Sequence, residues 1–195
     1  MIKTVRVVVL FSGNGSNLQA IIDACQQQTI HANVVAAMSN NPNAFGLERA
    51  KKAHIPSVIV NPADFENLNE HDSTLIKTID HYQPDLIVLA GYMRILSERV
   101  VAYYAGKIIN IHPSLLPKYP GLDTYKKAIA AGDKEHGSTV HFVTNVLDGG
   151  PIIAQCRLPI LPDETPEQLA ARNVLLEHEL YPQVIELFAQ GKVEY

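Results

Sequence analysis

Asn110 and His112 are the pair of side chains whose types and spacing best suit catalysis, and they lie in the segment NIHPSLLP (110–117). They follow an apolar run that predicts a strand, and residues two apart on a strand point to the same face. Histidine can move a proton near neutral pH, and an asparagine amide can donate to an oxygen that becomes negative in a tetrahedral intermediate. The pair therefore indicates acyl transfer. The alternative is a buried histidine that the backbone satisfies, beside an asparagine in a turn.

A third candidate, Asp148, follows a predicted strand and precedes two glycines. A carboxylate beside an imidazole favours the protonated imidazolium, which would strengthen His112 as a donor. The spacing alone does not distinguish this role from an ordinary Asp-Gly turn. The sequence shows no serine elbow and no activated-cysteine signature. Direct attack by a substrate amine is therefore favoured over a covalent enzyme intermediate.

The glycine-containing loop SGNGSN (12–17) joins an apolar strand to a helical stretch. Glycines let the backbone approach a ligand, and the helix that follows offers free amide groups and a positive dipole end. These features suit one phosphate. The loop lacks the third glycine of a dinucleotide fingerprint and the Gly-Lys-Ser/Thr of a Walker A loop. The alternative is a tight turn with a serine or asparagine helix cap.

Composition excludes several classes of protein. The chain has 195 residues, with 16 basic and 20 acidic side chains, a net charge of −4 and no basic cluster, so no nucleic-acid partner is expected. Cys25 and Cys156 form no C-x-x-C pair and are expected to be reduced thiols. The histidines lack metal-ligand spacing, so no metal is expected. The first apolar run is too short to span a bilayer, and we expect a cytoplasmic protein without a membrane partner.

The elements that must position these residues follow from hydrophobic periodicity. Apolar runs predict strands at 5–11, 34–38, 58–60, 86–90 and 108–111. Periodicity and capping residues predict helices at 17–27, 44–53, 68–82, 97–105 and from Thr165 to near Gly191. Residues 139–143 and 152–158 could be paired strands around the loop that contains Asp148. We therefore expect an α/β fold, with a mostly parallel Rossmann-like sheet flanked by helices and antiparallel strands added in the C-terminal half.

Ligands on such sheets bind at the carboxyl ends of strands. This rule selects three turns, which follow Phe11, Ala90 and Ile111. Two of them coincide with the glycine loop and the Asn–His segment.

Four segments, in this order along the chain, resemble the folate-dependent formyltransferases. They are SGNGSNLQAI (12–21), AGYMRIL (90–96), NIHPSLLP (110–117) and the stretch from HG (136–137) to LDGGP (147–151). The resemblance covers nearly the whole chain. The third and fourth segments are shared with methionyl-tRNA formyltransferase and formyltetrahydrofolate deformylase. The GNGSN loop is more specific to members that formylate glycinamide ribonucleotide.

The resemblance implies a role for each matching residue. The catalytic trio is Asn110, His112 and Asp148. The substrate phosphate is held by Gly15, Ser16 and Asn17. The glycinamide portion is held by Glu177, although a solvated helix residue is the alternative there. The folate is bound by Met93, Arg94, Ile95 and Leu96, together with Asn110. The whole of 1–195 would be one formyltransferase domain, with a phosphate-binding half (1–105) and a catalytic and folate-binding half (106–195).

The implied reaction transfers the formyl group of 10-formyltetrahydrofolate, a co-substrate, to the amine of glycinamide ribonucleotide in de novo purine biosynthesis. The amine would attack directly, Asn110 and protonated His112 would stabilise the oxyanion, and Asp148 would support the imidazolium and position a water that relays the amine proton. The partners would be small molecules only, with no metal, and the sequence does not distinguish a monomer from a homodimer.

Two departures and three alternatives accompany this interpretation. No arginine lies around Leu68, where some relatives use one for the folate tail, and Asn145 replaces a frequent acidic residue. A formyltetrahydrofolate hydrolase would typically carry an N-terminal regulatory domain, for which the early first strand leaves no room. A tRNA formyltransferase would need a second domain beyond Tyr195. A protein that binds a phosphorylated metabolite without catalysis would need the phosphate loop but would not need Asn110, His112 and Asp148 together.

Overall fold

Strands and helices alternate along the chain in the computed structural model, which describes residues 2–195. The strands are β1 (Val5–Phe11), β2 (Ala32–Ser39), β3 (Ser57–Ile59), β4 (Leu86–Leu89), β5 (Ile108–His112), β6 (Glu135–Phe142) and β7 (Ile152–Pro159). The helices are α1 (Ser16–Gln26), α2 (Gly46–Lys52), α3 (Leu68–His81), α4 (Glu98–Tyr103), α5 (Thr124–Ala130) and α6 (Pro166–Ala189). A 3-10 turn covers Pro62–Asp64.

All seven strands form one sheet in the order β3-β2-β1-β4-β5-β6-β7. The pairs from β3 to β5 are parallel, and β6 and β7 are antiparallel to their neighbours. This arrangement confirms the predicted fold class. The strand order reverses between β1 and β4, and in such sheets the crevice beyond that switch point is the usual ligand site.

The sheet is covered on both faces because most of its parallel strands are apolar on both sides. One face packs against α1 and α6 through side chains that include Phe11, Leu18 and Tyr181, all fully buried. The other face packs against α3 and α4 through Leu75, Val100 and their neighbours. The Tyr181 hydroxyl donates to the backbone carbonyls of Leu89 at 2.8 Å and Ile109 at 3.2 Å, which ties α6 to the middle of the sheet.

Two elements differ most from the sequence prediction, whereas the bounds of the others shift by one or two residues. Strand β6 begins at Glu135 rather than at 139, because its polar, glycine-containing first half is held by pairing with β7 and not by its own strand propensity. Helix α5 was not predicted. It has seven residues, and only Thr124 and Ala128 are buried, so its apolar stripe is too narrow to give a periodic signal.

The parallel register brings the predicted turns together. Leu10 pairs with Leu89, and Leu89 pairs with Asn110, so β1, β4 and β5 end side by side. In the part of the chain that the structure covers, no helix has the length and hydropathy required to cross a membrane.

Candidate active site

Asn110 and His112 lie at the carboxyl end of β5, where the parallel part of the sheet meets its antiparallel part. His112 is buried, and Asn110 is partly exposed. On β6, His141 is the cross-strand partner of Asn110, and Thr139 is the partner of His112. A second strand therefore supplies the polar neighbours of the pair.

The two ring nitrogens of His112 have different partners. Nε2 donates to the backbone carbonyl oxygen of Tyr119 at 2.9 Å. Nδ1 lies 3.4 Å from Oδ2 of Asp148, which is an ion-pair distance but longer than a typical hydrogen bond. Because the carbonyl can only accept, Nε2 carries a hydrogen, and Nδ1 is the nitrogen available to a reacting group.

Asp148 reaches this position from the loop between β6 and β7. Its backbone has a φ of 50°. Its Oδ2 accepts a hydrogen bond from the Gly121 amide at 2.8 Å, and its Oδ1 lies 3.7 Å from His141 Nε2. The return of the loop to the sheet depends on Gly150, where a Cβ would lie 1.8 Å from the Phe142 carbonyl oxygen. The structure thus brings Asn110, His112 and Asp148 together.

His141 orients the Asn110 amide, a role that the sequence alone does not indicate. Its Nδ1 donates to the Phe142 carbonyl at 2.8 Å, and its Nε2 lies 3.3 Å from Asn110 Nδ2. Burial lowers the pKa of His141, so Nε2 is an acceptor at neutral pH. Nε2 of His141 accepts a hydrogen bond from one amide hydrogen of Asn110, and the other amide hydrogen is free for a ligand. The cross-strand register that pairs the two residues was not readable from the sequence.

A cavity of about 340 Å³ lies beyond the ends of β1 and β4, at the switch point of the sheet. It is lined by the whole glycine loop, Ala90, Gly91, Met93, Val174 and Glu177. Gly15 has a φ of 74°, and a Cβ there would lie 2.7 Å from the Gly46 Cα, so only glycine fits without strain. The amides of the first turn of α1 have no side-chain cap. Asn17 Oδ1 is buried without a hydrogen-bond partner among residues 2–195.

Arg49 adds positive charge beside this loop, a role that sequence reasoning did not identify. From α2 it donates to the Asn14 backbone carbonyl and to Asn14 Oδ1, both at 2.9 Å. The guanidinium therefore fixes the loop and contributes a favourable field for an anion.

Glu177 is buried in the wall of the cavity and is not a solvated helix residue. Its Oε2 accepts from Asn17 Nδ2 at 2.9 Å, and its Oε1 accepts from the Ser138 hydroxyl at 2.6 Å. Asn173, one helical turn earlier, adds a longer contact to Oε1 at 3.4 Å. Ser138 and Asn173 are buried polar residues that sequence reasoning did not identify.

The segment with Met93, Arg94, Ile95 and Leu96 connects β4 to α4, and its first residue, Met93, lines the same cavity. Met93 and Ile95 are 73% and 75% exposed, which is unusual for large apolar side chains. The Met93 amide donates to Ser12 Oγ at 2.8 Å, so the start of the segment is held against the glycine loop. The hydroxyl of Ser97, which caps α4, donates to Asp72 on α3 and anchors the other end.

The thiols do not have the properties of a nucleophile. Burial raises the pKa of Cys25 to about 11 and also raises the pKa of Cys156. Between residues 2 and 195, no group of three or more histidine, cysteine, aspartate or glutamate side chains is arranged to hold a metal ion.

Comparisons with known proteins agree with this geometry. The sequence profile described as formyl transferase matches residues 5–185. The chain is 52% identical to phosphoribosylglycinamide formyltransferase of Escherichia coli over 188 residues, which cover 96% of this chain and 89% of that protein. The Haemophilus influenzae protein of the same name is 48% identical over 188 residues, which again cover 96% of this chain and 89% of that protein.

The same similarity is found among solved structures. Phosphoribosylglycinamide formyltransferase from Coxiella burnetii matches with a TM-score of 0.95 and 52% identity, over 99% of this chain and 90% of that one. The chain therefore belongs to the formyl transferase family, and the resemblance seen in its sequence is confirmed.

Proposed function

We propose that this protein transfers the formyl group of 10-formyltetrahydrofolate to the amine of glycinamide ribonucleotide in purine biosynthesis. One observation carries the proposal: Asn110, His112 and Asp148 converge at the end of β5, two strands from a glycine loop on β1. The first site suits acyl transfer and the second suits a phosphate. Relatives named phosphoribosylglycinamide formyltransferase, at 52% and 48% identity, support formyl transfer to this acceptor.

The phosphate fits the loop formed by Gly15, Ser16 and Asn17. The uncapped amides of α1 and the helix dipole favour a dianion there. Arg49, which is bonded to the loop at Asn14, adds a positive charge to a site whose lining also includes the Glu177 carboxylate. In this arrangement residues 1–105 supply the phosphate site, and residues 106–195 supply most of the reacting groups.

The glycinamide portion fits beside Glu177. A buried carboxylate that accepts only two short hydrogen bonds has lone pairs left for the N–H groups of an amine or amide. We expect Glu177→Gln to raise KM for glycinamide ribonucleotide more than it lowers kcat, because the contact exists before the reaction begins. An unchanged KM would contradict this placement.

The pterin of the folate fits against the segment from Met93 to Leu96. Its exposed apolar side chains offer a surface for a flat ring, and its backbone amides and carbonyls can read the polar edge of that ring. Asn110 lies in β5, the strand next to β4, and in this proposal its amide donates to the formyl oxygen. No arginine lies around Leu68 in the sequence, but Arg99 of α4 donates to the Asn69 carbonyl at 3.3 Å and to Ser73 Oγ at 3.0 Å, so its guanidinium lies beside this segment.

In the reaction, the amine nitrogen bonds to the formyl carbon, and the bond from that carbon to N10 of the folate breaks. The free Asn110 amide hydrogen and the Nδ1–H of protonated His112 donate to the formyl oxygen while it carries negative charge. Asp148, 3.4 Å from Nδ1, stabilises the imidazolium and is placed to hold a water. That water relays a proton from the attacking amine towards N10, which leaves as a neutral amine.

An assay that omits each substrate in turn tests this activity. Purified protein is mixed with both substrates, and the change in folate absorbance is followed. Formyl transfer only when both are present supports the proposal. Formate release without the ribonucleotide would show a hydrolase instead, and no turnover with both substrates would contradict the proposal.

A single substitution tests the catalytic assignment. His112→Ala removes an oxyanion donor, and we expect kcat to fall by about a hundred- to a thousandfold. The matched control is His81→Ala, because His81 is exposed at the end of α3 and should leave kcat within about twofold. Near-normal turnover by His112→Ala would refute the assignment.

A further inference from the structure

The orientation of His112 depends on one backbone atom, the carbonyl oxygen of Tyr119. This oxygen accepts from Nε2 at 2.9 Å and thereby directs Nδ1 towards Asp148. A ring rotated about its Cβ–Cγ bond would lose both contacts. Whatever holds the Tyr119 carbonyl therefore also holds the imidazole.

Tyr119 has a φ of 55°, a left-handed conformation that costs a residue with a side chain about 1 kcal/mol. Surrounding interactions must maintain it. Apolar packing does so only in part, because a cavity of about 280 Å³ lies between the segment 115–119 and the segment 133–136. The contacts that cross this cavity are polar.

Asp133 supplies these contacts. Its Oδ2 accepts from the Tyr119 hydroxyl at 2.9 Å, and its carboxylate accepts from Lys118 Nζ at 2.9 and 3.1 Å. Asp133 is itself fixed, because its amide donates to the Ala128 carbonyl of α5 at 3.1 Å. The Lys118 ammonium lowers the pKa of Asp133, so the carboxylate stays ionised at neutral pH. Two consecutive residues of the loop are thus tied to one rigid point.

We propose that Asp133 is a positioning residue for His112, acting through the Tyr119 side chain and backbone carbonyl. The inference rests on the proposed function, because it assigns Asp133 to the orientation of that site's imidazole. Asp133 touches neither the reacting atoms nor His112 itself. Its contribution should appear in kcat, since a misaligned donor weakens the transition state more than it weakens substrate binding.

The alternative is that Asp133 forms an ordinary surface ion pair. Lys118 is 60% exposed, and such pairs add little to stability. Activity and stability therefore separate the two interpretations. A positioning role predicts a clear loss of kcat in an enzyme whose unfolding midpoint in urea is almost unchanged.

The experiment compares four variants in the formyl-transfer assay. Asp133→Ala should lower kcat about tenfold, and Tyr119→Phe should lower it about threefold to fivefold, with KM for both substrates within about twofold. Asp133→Asn keeps an acceptor for the Tyr119 hydroxyl and should stay within about threefold of the parent. The control is Glu135→Ala, since Glu135 lines the same cavity and pairs with exposed Arg157, but does not touch Tyr119. It should stay within about twofold.

A double-mutant cycle tests the route through His112. In a His112→Ala background, Asp133→Ala should have almost no further effect on residual turnover, because the group it positions is gone. An equal loss of kcat in both backgrounds would overturn the proposal. Full activity of Asp133→Ala would also overturn it, and so would a kcat of Asp133→Asn as low as that of Asp133→Ala. The proposed function fails separately, if the parent protein shows no formyl transfer with both substrates. Normal turnover of His112→Ala would refute only the role of His112.

Discussion

Replacing Asp148 with asparagine removes one negative charge and leaves the shape of the loop unchanged. The asparagine can still accept from the Gly121 amide, which now bonds to Oδ2 at 2.8 Å. Asparagine also tolerates a positive φ, here 50°, better than most residues. The substitution therefore isolates the charge opposite His112.

The size of the effect follows from the distance between the two groups. Unit charges 3.4 Å apart attract each other by about 5 kcal/mol at an effective dielectric constant of about 20. Both side chains are only 8% exposed, so screening by salt is weak. We expect the amide dipole of asparagine and an entering water to replace roughly half of that attraction. We expect a loss of about 2.7 kcal/mol in the transition state, which is about a hundredfold in kcat.

The assay is steady-state formyl transfer with both substrates, read by folate absorbance, with urea unfolding as a check on folding. KM should change little, because the charge acts mainly on the imidazolium that stabilises the transition state. The matched control is Asp163→Asn, since Asp163 has a similar φ of 57° in an exposed loop. A kcat for Asp148→Asn within threefold of the control would refute the electrostatic reasoning.

Three further predictions concern stability and can be checked by urea unfolding. Gly137→Ala should cost about 3 kcal/mol or more, since its Cβ would lie 1.9 Å from the Cys156 carbonyl oxygen of β7; a loss below about 1 kcal/mol would contradict this steric reading. Tyr181→Phe should cost about 1–2 kcal/mol, because its hydroxyl bonds to two buried carbonyls, and an unchanged unfolding midpoint would be inconsistent with those bonds. Burial lowers the pKa values of His136 and His141 below their ordinary 6.5, so the unfolded chain binds protons first as the pH falls. The free energy of unfolding should therefore decrease as the pH falls below 6.5, by up to about 1.4 kcal/mol per pH unit for each histidine. His136→Gln should reduce this pH dependence. An unchanged pH dependence in that variant would exclude His136 as a contributor.

Much of the fold could be predicted from the chain because its signals are local. Continuous apolar strands such as β1 and β4 alternate with amphipathic helices, and this alternation requires a parallel sheet covered on both faces. The capping box of Thr165 and Gln168 marks the start of α6 and is present in the structure. Helix α5 and the first half of β6 escaped prediction, since tertiary contacts and not local propensity hold them.

The candidate site was likewise predictable only where its signals are local. The sequence placed Asn110 and His112 on one face, because strand periodicity is a local property, and it placed a glycine loop at a helix N-terminus for the same reason. The partners of these groups depend on chain segments that are distant in sequence. Strand register decides that His141 holds Asn110, and burial decides that its ring is neutral. Glu177 lines the cavity because of how α6 packs, and the Tyr119 carbonyl reaches His112 because of the path of its loop. The amino-acid sequence by itself determined which groups could react, whereas the tertiary structure decided which atom of each group faces the substrate.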